Sequence, residues 1–265
     1  MRRRTLLFVA LLVSWLSLSP LDSARGDPEL VEGSPAGAVV ERPERQDGLP
    51  RLMLWAWERP TDLRSLDPDV GVAFLAQTVT VRNGAVDVVP RRNALRVSPH
   101  TALVAVTRIE SHREEPLSPV LVTTMAAAIA GTTSLPRVRG VQIDFDAAES
   151  ERPFYRALVG AVRQAIGPAV PLSITALASW CAQDRWMAGL PVDEAVPMLF
   201  RLGPVNAPYV GLARAPSTGA AECRGALGTS LDEPLHVRAA GRRLYVFNAS
   251  PWTPASVTQA REGLE

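Results

Sequence analysis

From Leu52 onward, short apolar runs recur along the chain, each closed by turn residues or by a stretch with helical spacing. Eight of them read as buried strands: Leu52 to Trp57, Gly71 to Ala76, Ala102 to Ile109, Gly140 to Phe145, Leu172 to Ala178, Ala195 to Phe200, Ala226 to Ser230 and Leu244 to Phe247. Helical spacing is clearest at Ser118 to Ala130 and Pro153 to Ile166, where Phe154, Leu158, Val162 and Ile166 fall four apart on one face. Ser150 is the expected N-cap of the second helix and Gly167 its expected stop. The pieces around Asp62 to Leu66 and Asp184 to Gly189 read as single turns, and Arg201 to Glu222 as irregular. After the second strand, "TVTVRNGAVDVVP" carries an Asn-Gly hairpin signal and predicts a local excursion.

Eight buried strands with interleaved helices predict an α/β fold, a (β/α)8 TIM-type barrel over residues 51–265. At about 215 residues it is lean beside the ~250 typical of the architecture. A doubly wound open sheet is the alternative; no G-x-G-x-x-G follows any strand, which removes its dinucleotide-binding version.

The fourth strand and the helix after it read "RGVQIDFDAAESERPFYRALVGAVRQAIG". Val141, Ile143 and Phe145 alternate with Gln142, Asp144 and Asp146, so one face is apolar and the other acidic. In a barrel the apolar face suits the surrounding helices. The acids then face the lumen, with the aspartates nearest the C-terminal rim where barrel active sites lie. A structural network of paired polar groups is the plainer account of the same residues. Two stacked carboxylates are costly to bury, however, and a pair so close pushes its pKa values apart, as acid/base catalysis requires.

Other strand ends supply compatible groups: Trp55 and Trp57 on the first, Arg108 and Glu110 on the third, Trp180 on the fifth and Arg201 on the sixth. Asp232 and Glu233 follow the seventh strand, and Asn248 and Trp252 the eighth. Aromatic faces stack on the apolar faces of sugar rings, and two carboxylates flanking a pocket are the minimal apparatus of glycoside hydrolysis.

Composition narrows the choice. The 47% hydrophobic content suits a globular core, and a net charge of +1 with no internal basic block argues against nucleic acid. All 28 basic residues are arginine, which excludes Schiff-base aldolases, pyridoxal enzymes and P-loop NTPases, each of which needs a lysine. His100, His112 and His236 lack metal-site spacing, so no transition metal and no cofactor is expected. Asp144, Asp146 and Glu110 could instead supply oxygen ligands to Ca²⁺ or Mg²⁺.

The N-terminus, "MRRRTLLFVALLVSWLSLSPLDSARG", has a cationic start, an apolar run from Leu6 to Leu18 and then small residues, as a signal peptide over 1–26 does. The run is shorter than a membrane span, so contact with a membrane is expected only if the signal stays uncleaved. Residues 27–50, rich in Pro, Gly and charge, read as a flexible linker. Export puts the protein in the periplasm or outside the cell, where Cys181 and Cys223 are expected to pair as a disulfide.

The stretches "WAWERP", "GVQIDFDA", "PFYRAL", "PLSITALASWC" and "VDEAVPMLFR" together resemble an uncharacterised family of exported bacterial proteins, domain of unknown function 3142, from about Leu52 to Trp252. The resemblance implies a barrel similar to those of glycoside hydrolases and carries no established activity. The fourth strand also looks like the D-x-x-D-x-D-x-E signature of chitinase-type glycosidases, with Asp144 and Asp146 on its last two aspartates. The first aspartate position is Val141 and the glutamate position is Ala148, with Glu149 one residue further on.

These residues lead to an exported barrel that processes an envelope or extracellular polysaccharide. Asp146 would be its acid/base, Asp144 would tune it, and Glu233, or Asp232, would serve as nucleophile or second base. Arg108, Glu110, Arg201, Trp55, Trp57, Trp180, Asn248 and Trp252 would bind substrate. A catalytically silent glycan-binding barrel is the alternative that the missing glutamate supports.

Overall fold

The computed structural model describes residues 47–111, 117–184, 186–202, 207–215, 219–233 and 238–264. The expected signal peptide, most of the expected linker, His112 and His236 lie outside the described residues. The eight apolar runs become eight parallel strands, with boundaries within a few residues of the predicted ones except for the second, which runs on into a hairpin. They are β1 (Leu52–Ala56), β3 (Val70–Arg82), β6 (Leu103–Glu110), β7 (Val138–Asp144), β8 (Leu172–Leu177), β9 (Glu194–Met198), β10 (Ala226–Ser230) and β11 (Arg243–Phe247). Their order is β1-β11-β10-β9-β8-β7-β6-β3, and β1 also pairs with β3. That last pairing closes the sheet, so the open doubly wound alternative is excluded and the fold is a TIM-type barrel.

The hairpin falls where the Asn-Gly signal puts it. Strand β3 runs on past the barrel and turns back into antiparallel β4 (Ala85–Pro90). Asn83 and Gly84 take φ values of 51° and 69° at the turn, the left-handed geometry that a tight two-residue connection requires. Between β1 and β3 lies β2 (Thr61–Leu63), which pairs in parallel with β5 (Leu95–Val97). The single turn expected around Asp62 to Leu66 is corrected at Asp62 and Leu63, which are strand, because a segment this short extends once it finds a partner strand.

Helices α1 (Val120–Gly131) and α2 (Arg152–Ile166) follow β6 and β7. Phe154, Leu158 and Val162 of α2 are buried in one cluster with Val141, Ile143 and Phe145 of the fourth barrel strand and its end. The apolar face of that strand thus meets the helices. Gly167 stops α2 with φ 73°. Ser150 does not cap it: it sits inside a 3-10 turn, and the Glu151 carboxylate accepts from the Ala148 N–H at 2.6 Å instead. Helix α3 (Ala178–Ala182) follows β8 directly, α4 (Ala207–Arg214) occupies part of the stretch expected to be irregular, and α5 (Pro254–Glu262) closes the chain after β11.

The N-terminal mouth of the barrel is sealed by charge. Arg243 Nη1 donates to both carboxylate oxygens of Glu194 at 2.8 Å, and Tyr245 OH donates to Glu194 Oε1 at 2.7 Å. Arg243 Nη2 reaches Asp47, and its Nε donates to the Pro50 carbonyl, so residues 47–50 are tied to the barrel rather than free linker. All three side chains of the Arg243–Glu194–Tyr245 group are almost fully buried. Tyr245→Phe should cost about 1–3 kcal/mol in urea unfolding, because it removes one of the donors to the buried Glu194 carboxylate. An unchanged midpoint would show that the phenol hydroxyl adds nothing.

Cys181, on α3, and Cys223, just before β10, form a disulfide with Cα atoms 5.9 Å apart, as expected from the sequence. Among the described residues no helix is long and apolar enough to cross a membrane.

Candidate active site at the C-terminal rim

Alternation inside the barrel gives the lumen its own apolar cluster, with Met53, Trp55, Val104, Val106, Val196 and Tyr245 buried together. Trp55 fills the middle of this lumen. Its indole N–H donates to Gln142 Oε1 at 2.8 Å, and Gln142 Nε2 donates to Ser173 Oγ at 3.1 Å. A Cβ at Gly228 would lie 2.9 Å from Trp55 Cη2, so the glycine on β10 is what lets the ring lie flat there.

Above Trp55 opens a cavity of about 640 Å³, lined from the C-terminal ends of several strands. Its floor and walls include Trp55 on β1 and Trp57 just after it, Arg108 on β6, Asp144 and Asp146 at the end of β7, Thr175 and Leu177 on β8, Met198 at the end of β9 and Phe200 just after it, and Phe247 on β11. Tyr209 of α4, Arg59 and Arg201 complete the mouth. Phe200 and Phe247 stack with ring centroids 5.7 Å apart and nearly parallel planes. A mostly apolar, aromatic pocket with a few polar groups on one side, at the end of a barrel where active sites lie, has the form of a small-molecule or saccharide site.

The polar side is built around Arg108. Its Nη1 donates to Asp144 Oδ2 at 2.7 Å, its Nη2 stands 3.9 Å from Asp146 Oδ2, and its Nε stands 3.6 Å from Glu110 Oε1. Asp144 is 2% exposed, and its other oxygen accepts from Thr175 Oγ1 at 2.7 Å. Each oxygen of this buried carboxylate therefore accepts from a side chain on a neighbouring strand. Asp146, two residues on, has a side chain 47% exposed to the cavity. Partial burial raises its pKa above the ordinary carboxylate value, the Asp144 charge raises it further, and Arg108 opposes both. One aspartate is pinned in an ion pair while the other is biased towards holding a proton.

The proposed hard-cation site does not form from these residues. Arg108 stands between Asp144, Asp146 and Glu110, so a guanidinium already holds the position that the ion would take. Among the described residues no group of three or more His, Cys, Asp or Glu side chains could hold a metal.

Other expected site residues divide. Trp55, Trp57, Arg108, Arg201, Asp144 and Asp146 line the cavity together. Trp180 does not: it is 2% exposed and packs edge-on against Trp186 and Tyr155. The reason is that α3 begins at Ala178, so the two-residue alternation of β8 gives way to helical spacing before Trp180 is reached. Trp252 donates its indole N–H to the Trp55 carbonyl at 2.9 Å, and Asn248 accepts from the Ser250 N–H at 3.0 Å, so both hold the loop after β11. Asp232 accepts from the Ala249 N–H at 3.1 Å, and Glu233 Oε2 from the Arg201 N–H at 2.6 Å. Neither lies on the cavity wall, although the Glu233 bond sets it against a residue that does.

Arg59, Thr175, Phe200, Tyr209 and Phe247 belong to the site and were not expected there. Phe200 and Phe247 end strands already recognised, so reading strand termini for aromatics of any kind, not tryptophan alone, would have found them. Tyr209 gives no such signal, because α4 lies in a stretch without clear periodicity.

Residues 87–242 match the family described as domain of unknown function (DUF3142). Among curated proteins, none matches this chain. Among solved structures, the chitinase domain of the spore coat protein CotE from Clostridium difficile is similar over 62% of this chain and 53% of its own, with 14% identity and a TM-score of 0.42. The chain thus spans about half the length of that solved chain. The barrel assignment rests on the strand pairing itself.

Proposed function

We propose that this chain, which belongs to the family described as domain of unknown function (DUF3142), is an exported glycoside-hydrolase-like barrel that acts on an envelope or extracellular polysaccharide. The observation that carries the reading is Asp146: a carboxyl with a raised pKa, opening into an aromatic-walled cavity beside a buried aspartate held by Arg108 and Thr175. A sugar ring stacked on the aromatic wall would bring a glycosidic oxygen to the Asp146 proton. As the bond from the anomeric carbon to that oxygen breaks, the oxygen takes the proton and leaves as a hydroxyl. Water adds to the anomeric carbon and gives its proton to a carboxylate. Glu233 is the candidate for that second role, because Oε2 is anchored on the N–H of Arg201, a residue of the cavity wall.

Export is supported by the Cys181–Cys223 disulfide and by the signal-like N-terminus, and the periplasm or the cell exterior follows from it. A second reading, a silent glycan-binding barrel, is favoured by one specific feature. Asp232 and Glu233 are engaged with backbone N–H groups, and among the described residues the cavity wall carries only Asp144 and Asp146 as carboxylates. The experiment that separates the two readings measures reducing ends released from purified protein and a panel of neutral, amino-sugar and uronic-acid polysaccharides. Release from any of them supports the hydrolase, and binding without release supports the silent barrel.

Asp144→Asn tests the coupling between the two aspartates. The Asp144 charge raises the Asp146 pKa, so its removal lowers that pKa, and the Arg108 charge, no longer offset by Asp144, lowers it further. The protonated form of Asp146 is then lost at a lower pH as pH rises. The alkaline limb of the pH–rate profile should therefore move to lower pH, and a limb that stays in place would separate Asp144 from the acid.

A further inference from the structure

The cavity wall carries three arginines, Arg59, Arg108 and Arg201, against two carboxylates, Asp144 and Asp146. Arg108 is committed to Asp144 and leans on Asp146 and Glu110. The other two sit at the mouth with their charge turned to other ends. Arg59 Nη1 donates to the Ala249 carbonyl at 2.6 Å, and the Arg201 guanidinium lies over the Phe247 ring, 5.4 Å from its centroid. Among the described residues neither guanidinium forms an ion pair.

Arg201 is held there by its backbone. Its φ is 56°, in the left-handed region that a long side chain enters only at a cost, and its N–H is fixed by the Glu233 carboxylate. A strained, anchored residue that aims an unpaired cation across an aromatic face and into a cavity is a device for meeting an anion. The Glu233 carboxylate is close by, but its Oε2 is occupied by the backbone N–H, and its side chain is off the cavity wall.

We infer that Arg201 and Arg59 bind an anionic substituent of the carbohydrate, so that the ligand is an acidic glycan. The inference rests on the reading of this cavity as a carbohydrate site. Guanidinium groups match carboxylate, sulfate and phosphate oxygens in paired hydrogen bonds, and a neutral glycan would leave two like charges at one mouth without a counter-charge. The shared chemistry is a fixed negative group next to a ring with an apolar face. A uronic acid carries it as a carboxylate, an esterified sugar as sulfate or phosphate.

The test is calorimetric titration of full-length Asp146→Asn, which cannot consume its ligand by the proposed route, with three hexasaccharides: oligogalacturonate, a sulfated cello-oligosaccharide and the unsubstituted cello-oligosaccharide. At least one acidic probe should bind about 10-fold or more tightly than the neutral one, with the advantage shrinking as salt is raised. Comparing the two acidic probes distinguishes carboxylate from sulfate. Adding Arg201→Asn, a residue that tolerates the left-handed backbone, should weaken the acidic probe about 10-fold and leave the neutral one nearly unchanged. If that variant melts early, Arg59→Gln in its place should show the same selectivity loss. Equal binding of all three probes, no binding of either acidic probe, or equal weakening of all three by both arginine variants would overturn the inference. Its failure is distinct from that of the hydrolase. Tight acidic binding by a wild type that releases no reducing ends keeps this inference and sinks hydrolysis, whereas cleavage of neutral chains alone does the reverse.

Discussion

Asp146→Asn should lower turnover on a cleaved glycan by about 100-fold or more, with binding of the same glycan retained. Asparagine keeps the outline of the side chain and removes the titratable proton. Asp146 has the raised pKa of a proton donor because it is partly buried and lies beside the Asp144 charge, and Arg108 tempers both effects. Its contact with Arg108 is long, at 3.9 Å, and its side chain is 47% exposed, so the exchange breaks no close pair and should leave the melting temperature in place. That is the difference from Asp144, whose two oxygens are engaged by Arg108 and Thr175 in the buried wall. A variant that cleaves as fast as wild type would move the acid elsewhere in the cavity. One that also melts several degrees lower would return Asp146 to the structural network.

The second large effect is on stability. Exchanging Cys181 and Cys223 for alanine should cost about 4 kcal/mol in urea unfolding, the chain-entropy value for a loop closed across a sequence separation of 42. That loop contains β9 and α4, and with them Phe200, Arg201 and Tyr209 of the cavity. Backbone contacts already join its ends, since the Ala220 N–H donates to the Cys181 carbonyl at 3.0 Å. A loss under about 1 kcal/mol would mean that such packing, and not the covalent link, holds the loop. With the loss expected here, glycan binding should weaken before the barrel unfolds, because the wall that carries Arg201 loosens first.

What the sequence made readable follows from physical cause. The barrel strands were legible because each is covered on both sides, so each is a nearly unbroken apolar run between turn residues. The acidic face of β7 was legible because alternation is rigid within a strand, and Asp144 lies where the two-residue period puts it. That period fails one residue past the end of β8, where α3 starts and carries Trp180 into the core among Tyr155 and Trp186. It fails again after β10, where the turn ties Asp232 and Glu233 to backbone N–H groups of neighbouring rim segments. Rim loops have no period, so Arg59 and Arg201 join Tyr209 of α4 at one cavity only through tertiary folding. The β2–β5 pairing was hidden for a related reason, because strands of three residues are too short to show alternation.

In the proposed complex a carbohydrate occupies the cavity with a glycosidic oxygen at residue 146. A crystal structure of Asp146→Asn with a bound oligosaccharide measures this directly. A sugar ring is expected against the aromatic wall, with a glycosidic oxygen within hydrogen-bond reach, about 3 Å, of the Asn introduced at position 146. An oligosaccharide bound elsewhere on the barrel, with the cavity left to water, would contradict it.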